Sequence, residues 1–120
     1  MIRKTLLALA VIAASASIAS ADASLSVNIE LDDDATIQTV RYQCENGERL
    51  KVQYINSQDD QLALVPTDGD DDERLFVNVV SGSGARYVAG QYEWFTKGDK
   101  ATLTDTIRKI APVNCEAVAQ

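Results

Sequence analysis

The groups best suited to chemistry lie in the second half of the chain. With no histidine anywhere, acyl-transfer chemistry would have to rest on a serine–lysine dyad, for which Ser83 and Lys97 are available. Such a dyad needs a lysine held neutral by burial. Lys97 instead has Glu93, Asp99 and turn residues nearby in sequence, which favour its charged form, so no catalysis is expected. Cys44 and Cys115 are distant in sequence and, without histidine, cannot complete a tetrahedral zinc shell. The run Asp68-Gly69-Asp70-Asp71-Asp72-Glu73 invites calcium, yet it lacks the ligand spacing of an EF-hand loop and reads as a solvated turn. No metal or cofactor is expected. Tyr87, Tyr92, Trp94 and Phe95 offer rings for stacking on sugars, which makes a small periplasmic carbohydrate- or peptidoglycan-binding barrel the alternative reading. The same residues equally suit core packing.

The elements that hold these groups follow an export signal. Arg3 and Lys4 form a basic n-region, residues 5–18 carry no charge, and Ala19-Ser20-Ala21 and Ala21-Asp22-Ala23 are small-residue cleavage motifs. Residues 1–23 therefore read as a signal peptide cleaved after Ala21 or Ala23. The apolar stretch is too short and too rich in Ala and Ser to favour a membrane span, and no cysteine lies near the cleavage point to accept a lipid. The mature chain is expected in the periplasm, soluble and without a membrane anchor. Roughly 97 residues remain, enough for one domain with one core. Export removes Arg3, Lys4 and Asp22 and takes the formal net charge from −7 to −8. Such a surface repels nucleic acid and anionic lipid and attracts cationic partners. In an oxidising compartment Cys44 and Cys115 pair as a single bridge. That bridge closes about 71 residues, worth on the order of 4 kcal/mol in chain entropy.

Residues 24–36 are polar and acidic, with Asp32-Asp33-Asp34, and read as a flexible N-terminal arm; residues 37–120 form the folded domain. Within it, short segments alternate with a period of two between turn residues. Val40, Tyr42 and Cys44 share a face, Asn46-Gly47 signals a hairpin, and Leu50, Val52 and Tyr54 alternate with Lys51 and Gln53. A turn at 57–60 leads into 61–65, which Pro66 ends. Leu75, Val77 and Val79 alternate with Phe76, Asn78 and Val80. After Ser81-Gly82-Ser83-Gly84 come strands over 85–89 and 91–97, the second with Tyr92, Trp94 and Thr96 on one face and Glu93, Phe95 and Lys97 on the other. Gly98-Asp99 turns into 101–104, and a last segment over 107–115 returns to the bridge. Seven or eight short strands and no amphipathic helix mean an all-β antiparallel barrel or sandwich.

Residues 81–103, SGSGARYVAGQYEWFTKGDKATL, resemble the lysozyme-inhibitor family that comprises the membrane-bound and periplasmic inhibitors of c-type lysozyme. The two motifs are a Ser/Gly-rich loop ending in Ala85-Arg86-Tyr87 and a Trp-containing strand ending in Thr96-Lys97-Gly98. Upstream, Tyr42-Gln43-Cys44, Gly47, Val52, Tyr54 and Asn56 fit the family's opening pattern, and Cys115 its closing one. The lipid-accepting cysteine of the membrane-bound branch is absent, so the chain looks like the periplasmic branch. Phe95 stands where some relatives have a second Trp.

The resemblance implies an eight-stranded antiparallel β-barrel from a Gram-negative bacterium that inserts a loop into the cleft of a c-type lysozyme. It maps the inserting groups onto Ser83 and Lys97. Lys97 brings three N–H donors on a long stem and Ser83 a hydroxyl that donates or accepts, both suited to the carboxyl pair of a glycosidase. Gly82 and Gly84 are expected to keep the loop narrow and open to positive φ, and Tyr92, Trp94 and the Gly98 turn to hold the Lys97 strand. The expected lysozyme-binding set is therefore Ser83, Lys97, Gly82, Gly84, Tyr92, Thr96 and Gly98. The choice between monomer and homodimer stays open.

Overall fold

The computed structural model describes residues 12, 14–17, 26, 28, 30–67 and 72–119. The proposed cleavage sites at Ala21 and Ala23 and most of the acidic turn at 68–73 lie outside the described residues. Eight strands follow one another: β1 (Thr36–Cys44), β2 (Arg49–Asn56), β3 (Gln61–Pro66), β4 (Glu73–Val79), β5 (Ala85–Ala89), β6 (Tyr92–Lys97), β7 (Lys100–Asp105) and β8 (Val113–Ala117). Each pairs antiparallel with the next, and β8 pairs with β1 through Tyr42–Ala117, Gln43–Glu116 and Cys44–Cys115. The sheet is thus a closed up-and-down barrel, and closure removes the exposed edges that would otherwise invite pairing with other chains.

The inward rows follow from two-residue periodicity. Tyr42, Leu50, Val52, Tyr54, Ala63, Val65, Phe76, Tyr87, Tyr92, Trp94 and Ala101 form the core with the two cysteines. Trp94, Phe76, Val52 and Val65 are fully enclosed, and each such side chain contributes about 1.5–3 kcal/mol of burial. The disulfide joins Cys44 to Cys115, which sit directly opposite each other on β1 and β8. It fastens the first strand to the last at the seam that closes the barrel.

Three local details go beyond the alternation pattern or correct it. On β4 the inward residue is Phe76, while Leu75 and Val77 point outward, Val77 with 49% exposure. One large ring at the centre of the strand sets its phase, and Leu75 and Val77 either side take the outer face. The Asn46-Gly47 turn holds three residues. The Gly47 N–H donates to the Cys44 carbonyl at 3.0 Å and the Cys44 N–H to the Glu48 carbonyl at 2.9 Å. Only Gly47 has positive φ, +87°, the pattern of a tight turn followed by a glycine bulge. Finally, β8 begins at Val113, after Pro112, which lacks the N–H a ladder needs. Residues 106–108 form bends and 109–112 are irregular, the segment being entered through Asp105, whose Oδ1 accepts from the N–H groups of Ile107 at 3.0 Å and Arg108 at 2.9 Å.

β1 starts one residue earlier than expected, and the acidic stretch before it contains a turn, with the Ala35 N–H donating to the Asp32 carbonyl at 2.9 Å. Gln58 Nε2 donates to Asp34 Oδ2 at 2.8 Å, which ties this turn to the connection between β2 and β3.

Candidate functional site

Pairing along β5 and β6 brings the two motifs together. Ala85 lies opposite Thr96, Arg86 opposite Phe95 and Tyr87 opposite Trp94. The β4–β5 loop that carries Ser83 therefore empties onto the barrel rim beside Thr96, one residue before Lys97. Inward-facing Trp94 is the anchor of this region, since it fixes the phase of β6 and so turns Phe95 and Lys97 outward.

The loop has internal supports. Ser81 Oγ donates to the Ser83 carbonyl at 2.7 Å, and Asn78 Nδ2 donates to the Arg86 carbonyl at 3.2 Å, joining the two strands that the loop connects. Gly84 takes φ +67°, and a Cβ there would come within 2.5 Å of the Thr96 carbonyl oxygen and 2.9 Å of Phe95 Cζ. The positive φ expected at both loop glycines is found at Gly84 alone. Gly82 has ordinary φ and open space around it, so chain entropy and clearance are its contribution.

Lys97 closes β6 at a two-residue hairpin. Gly98 has φ +59°, Lys97 pairs with Lys100, and the Asp99 carbonyl accepts from the Ala117 N–H at 2.7 Å. Two ammonium groups thus stand opposite each other across the outer face, an arrangement that repels. Lys100 also lies opposite Glu116 of β8. Lys100 escaped notice in the sequence because a lone lysine after a turn carries no signal until the hairpin length pairs it with Lys97.

Ser83 and Lys97 are exposed. Among the described residues the Ser83 hydroxyl makes no hydrogen bond and the Lys97 ammonium no ion pair. Tyr92 does not join them. It lies at the opposite end of β6, faces inward opposite Ala89 and Asp105, and has the Arg74 guanidinium 5.1 Å over its ring. It supports the strand from inside. Thr96 is half-buried and faces inward, its carbonyl against Gly84.

This geometry suits neither alternative chemistry. An exposed lysine does not meet the desolvation that a serine–lysine nucleophile requires. Trp94 and all four tyrosines are enclosed in the barrel, which leaves Phe95, half-exposed on the outer face, as the one ring of that set open to a sugar. Hollows of about 330 and 560 Å³ on the outer surface are lined by β1, β2, β7 and β8 residues, and neither includes Ser83 or Lys97. Ser83 and Lys97 stand exposed at the rim instead.

Fold and site together define a class: a small disulfide-closed antiparallel barrel that carries an exposed hydroxyl and an exposed ammonium group at one rim. The chain belongs to the family described as membrane-bound lysozyme-inhibitor of c-type lysozyme, whose model matches residues 42–111. It is 51% identical over 77 residues to the membrane-bound lysozyme inhibitor of C-type lysozyme of Pseudomonas aeruginosa, covering 62% of this chain and 60% of that protein. It is 47% identical over 85 residues to the protein of the same description from Cupriavidus necator, covering 68% of this chain and 66% of that one. The match thus spans somewhat under two thirds of each relative's length. Among solved structures, Pseudomonas aeruginosa MliC in complex with hen egg white lysozyme superposes with a TM-score of 0.67 at 38% identity, covering 82% of this chain and all of that one.

Proposed function

We propose that this protein inhibits c-type lysozyme by inserting the Ser83 loop and Lys97 into the active-site cleft, and that it catalyses nothing itself. The observation that carries the reading is the pairing of an uncommitted hydroxyl with an uncommitted ammonium group on one projecting rim. A c-type lysozyme cleaves its substrate with two carboxyl groups, one protonated and one ionised. Lys97 matches the ionised carboxylate as a charge-assisted donor, and Ser83 matches the acid, because a hydroxyl both donates and accepts. Lys100, repelled by Lys97 across the hairpin, adds to the attraction for a carboxylate placed between strand ends. The two similar proteins carry inhibitor descriptions, and the solved relative was crystallised with a c-type lysozyme, which supports the same partner here.

The setting follows from the N-terminal residues: export through a signal peptide at 1–23 and residence in the periplasm, with residues 24–36 as an acidic lead into the barrel. The test is to titrate the purified protein into a c-type lysozyme turnover assay beside a g-type enzyme. Stoichiometric loss of c-type turnover alone is expected. Unchanged c-type turnover at a large excess of the protein overturns the reading.

A further inference from the structure

The loop that carries Ser83 has a floor, and the floor is the ring of Phe95. Two-residue periodicity turns Phe95 to the outer face of β6, where an aromatic ring would ordinarily lie open to water. It is only half-exposed, because the β4–β5 loop folds back over it. Gly84 is the contact point. A Cβ built there would approach Phe95 Cζ to 2.9 Å and Cε2 to 3.2 Å, so the Gly84 backbone lies directly on the ring edge. Arg86, the register partner of Phe95, is paired with Glu93 at 3.2 Å, which braces the same face of the two strands.

Ser83 is held between two supports. Its carbonyl accepts from Ser81 Oγ at 2.7 Å, and its C-terminal neighbour rests on the ring. Its hydroxyl has no hydrogen bond of its own among the described residues, so the backbone sets where its Cβ stands and the hydroxyl is free to choose its rotamer from there. A hydroxyl–carboxyl hydrogen bond tolerates a few tenths of an ångström in length. Losing the floor therefore costs the contact even when the barrel is intact.

We propose that Phe95 is a positioning residue for the lysozyme-binding loop: through Gly84 it sets where Ser83 stands. This rests on the inhibitory role proposed above. The ring edge nearest Gly84 is the para carbon, so Phe95→Tyr would drive a hydroxyl into the glycine backbone while preserving the ring that a merely packing role needs.

The experiment compares inhibition constants for wild type, Ser83→Ala, Phe95→Ala, Phe95→Tyr and the Ser83→Ala/Phe95→Ala double variant, with far-UV circular dichroism and a melting curve on each. It also records the amide spectrum of Gly84, whose resonance should carry a ring-current displacement in the wild type. Phe95→Ala and Phe95→Tyr should each weaken inhibition by about tenfold in folded protein, with the double variant no weaker than the stronger single, because both remove the same contact. Loss of the Gly84 displacement in Phe95→Ala should accompany this. Wild-type inhibition in both Phe95 variants overturns the proposal, as does a double variant whose losses simply multiply. A wild type that fails to inhibit lysozyme while Gly84 keeps its displacement sinks the inhibitory role and with it any positioning for that role, but leaves the contact standing, so the two failures are told apart.

Discussion

Trp94 and Tyr54, forty residues apart, meet across the barrel interior: the indole N–H donates to the phenolic oxygen at 2.9 Å. Tyr54 also shares a hydrogen bond of 2.7 Å with the Tyr42 hydroxyl. Tyr42 in turn meets the Trp94 ring edge-on at a centroid distance of 5.2 Å, so three residues from β1, β2 and β6 close a polar triangle inside an apolar core. The strand that ends in Lys97 is thereby tied to the opposite wall. Removing one oxygen leaves two partners unsatisfied in a dry interior. Tyr54→Phe should therefore lower stability by about 1–3 kcal/mol, read as the shift of a urea unfolding midpoint. Inhibition measured well below the melting temperature should stay near wild type, and an unchanged midpoint would mean that the triangle contributes nothing.

The same enclosure sets the behaviour at high pH. Burial, as the largest cause, raises the phenol pKa values of Tyr42, Tyr54 and Tyr87 above the ordinary value. A group whose folded pKa is raised holds its proton more tightly when folded, so its contribution is complete below the unfolded value of about 10 and is lost as pH rises toward the folded one. Phenolate absorbance should therefore lag behind that of free tyrosine and rise together with the loss of the β-sheet signal. Smooth titration of Tyr42, Tyr54 and Tyr87 near pH 10 with the barrel intact would contradict the buried arrangement.

The disulfide is the other fastening of the wall. Cys44 and Cys115 are direct partners on β1 and β8, where the ladder is only three pairs long, so the bridge reinforces one of the two shortest seams of the barrel. With its ends 71 positions apart in sequence, its removal in Cys44→Ala/Cys115→Ala should cost on the order of 4 kcal/mol. The melting temperature of the double variant beside the oxidised wild type checks this, and a shift of a degree or less would count against it.

Much of this architecture was legible in the residues themselves, and what escaped has physical causes. Alternation identified the strands because each has one wet and one dry face, and the turn glycines at 47, 90 and 98 marked reversals that take positive φ in the structure. Alternation alone did not decide between barrel and sandwich, since both use it and differ in whether β1 meets β8; the family resemblance pointed to the eight-stranded barrel, which the β1–β8 pairing bears out. The phase of β4 was equally hidden, because Leu75, Phe76, Val77 and Val79 are apolar on both faces. At the site, Ser83 and Lys97 came from motif resemblance, and the structure brings them to one rim. Tyr92 belongs to the core instead, because β6 places its inward end far from its lysine. Phe95 and Lys100 needed the register, which joins Gly84 to one and Lys97 to the other.

The charge balance makes a kinetic prediction. Beyond residue 23 the chain carries a strong excess of carboxylates, and a basic partner is drawn toward such a surface before any contact forms. The association rate with a basic c-type lysozyme should fall steeply as salt is added, while dissociation changes little. Stopped-flow mixing across a range of sodium chloride concentrations measures both. A rate indifferent to salt removes steering from the mechanism and leaves only the contacts on the rim.

Lys97 itself is the sharpest test of those contacts. Its ammonium is exposed before binding and unpaired among the described residues, with Lys100 opposite it. Insertion beside an ionised carboxylate would therefore gain a charge-assisted hydrogen bond without breaking one. Lys97→Ala should weaken inhibition by about 2 kcal/mol or more, because truncation leaves the enzyme's carboxylate desolvated without a partner. Lys97→Arg should recover only part of that loss, since a planar fork does not occupy the space of a compact ammonium. Lys100→Ala, at the edge of the same face, should weaken inhibition less and mainly through the association rate. If Lys97→Ala inhibits like wild type while Lys100→Ala does not, the contact lies one residue further round the hairpin, on β7, and the β6 assignment fails.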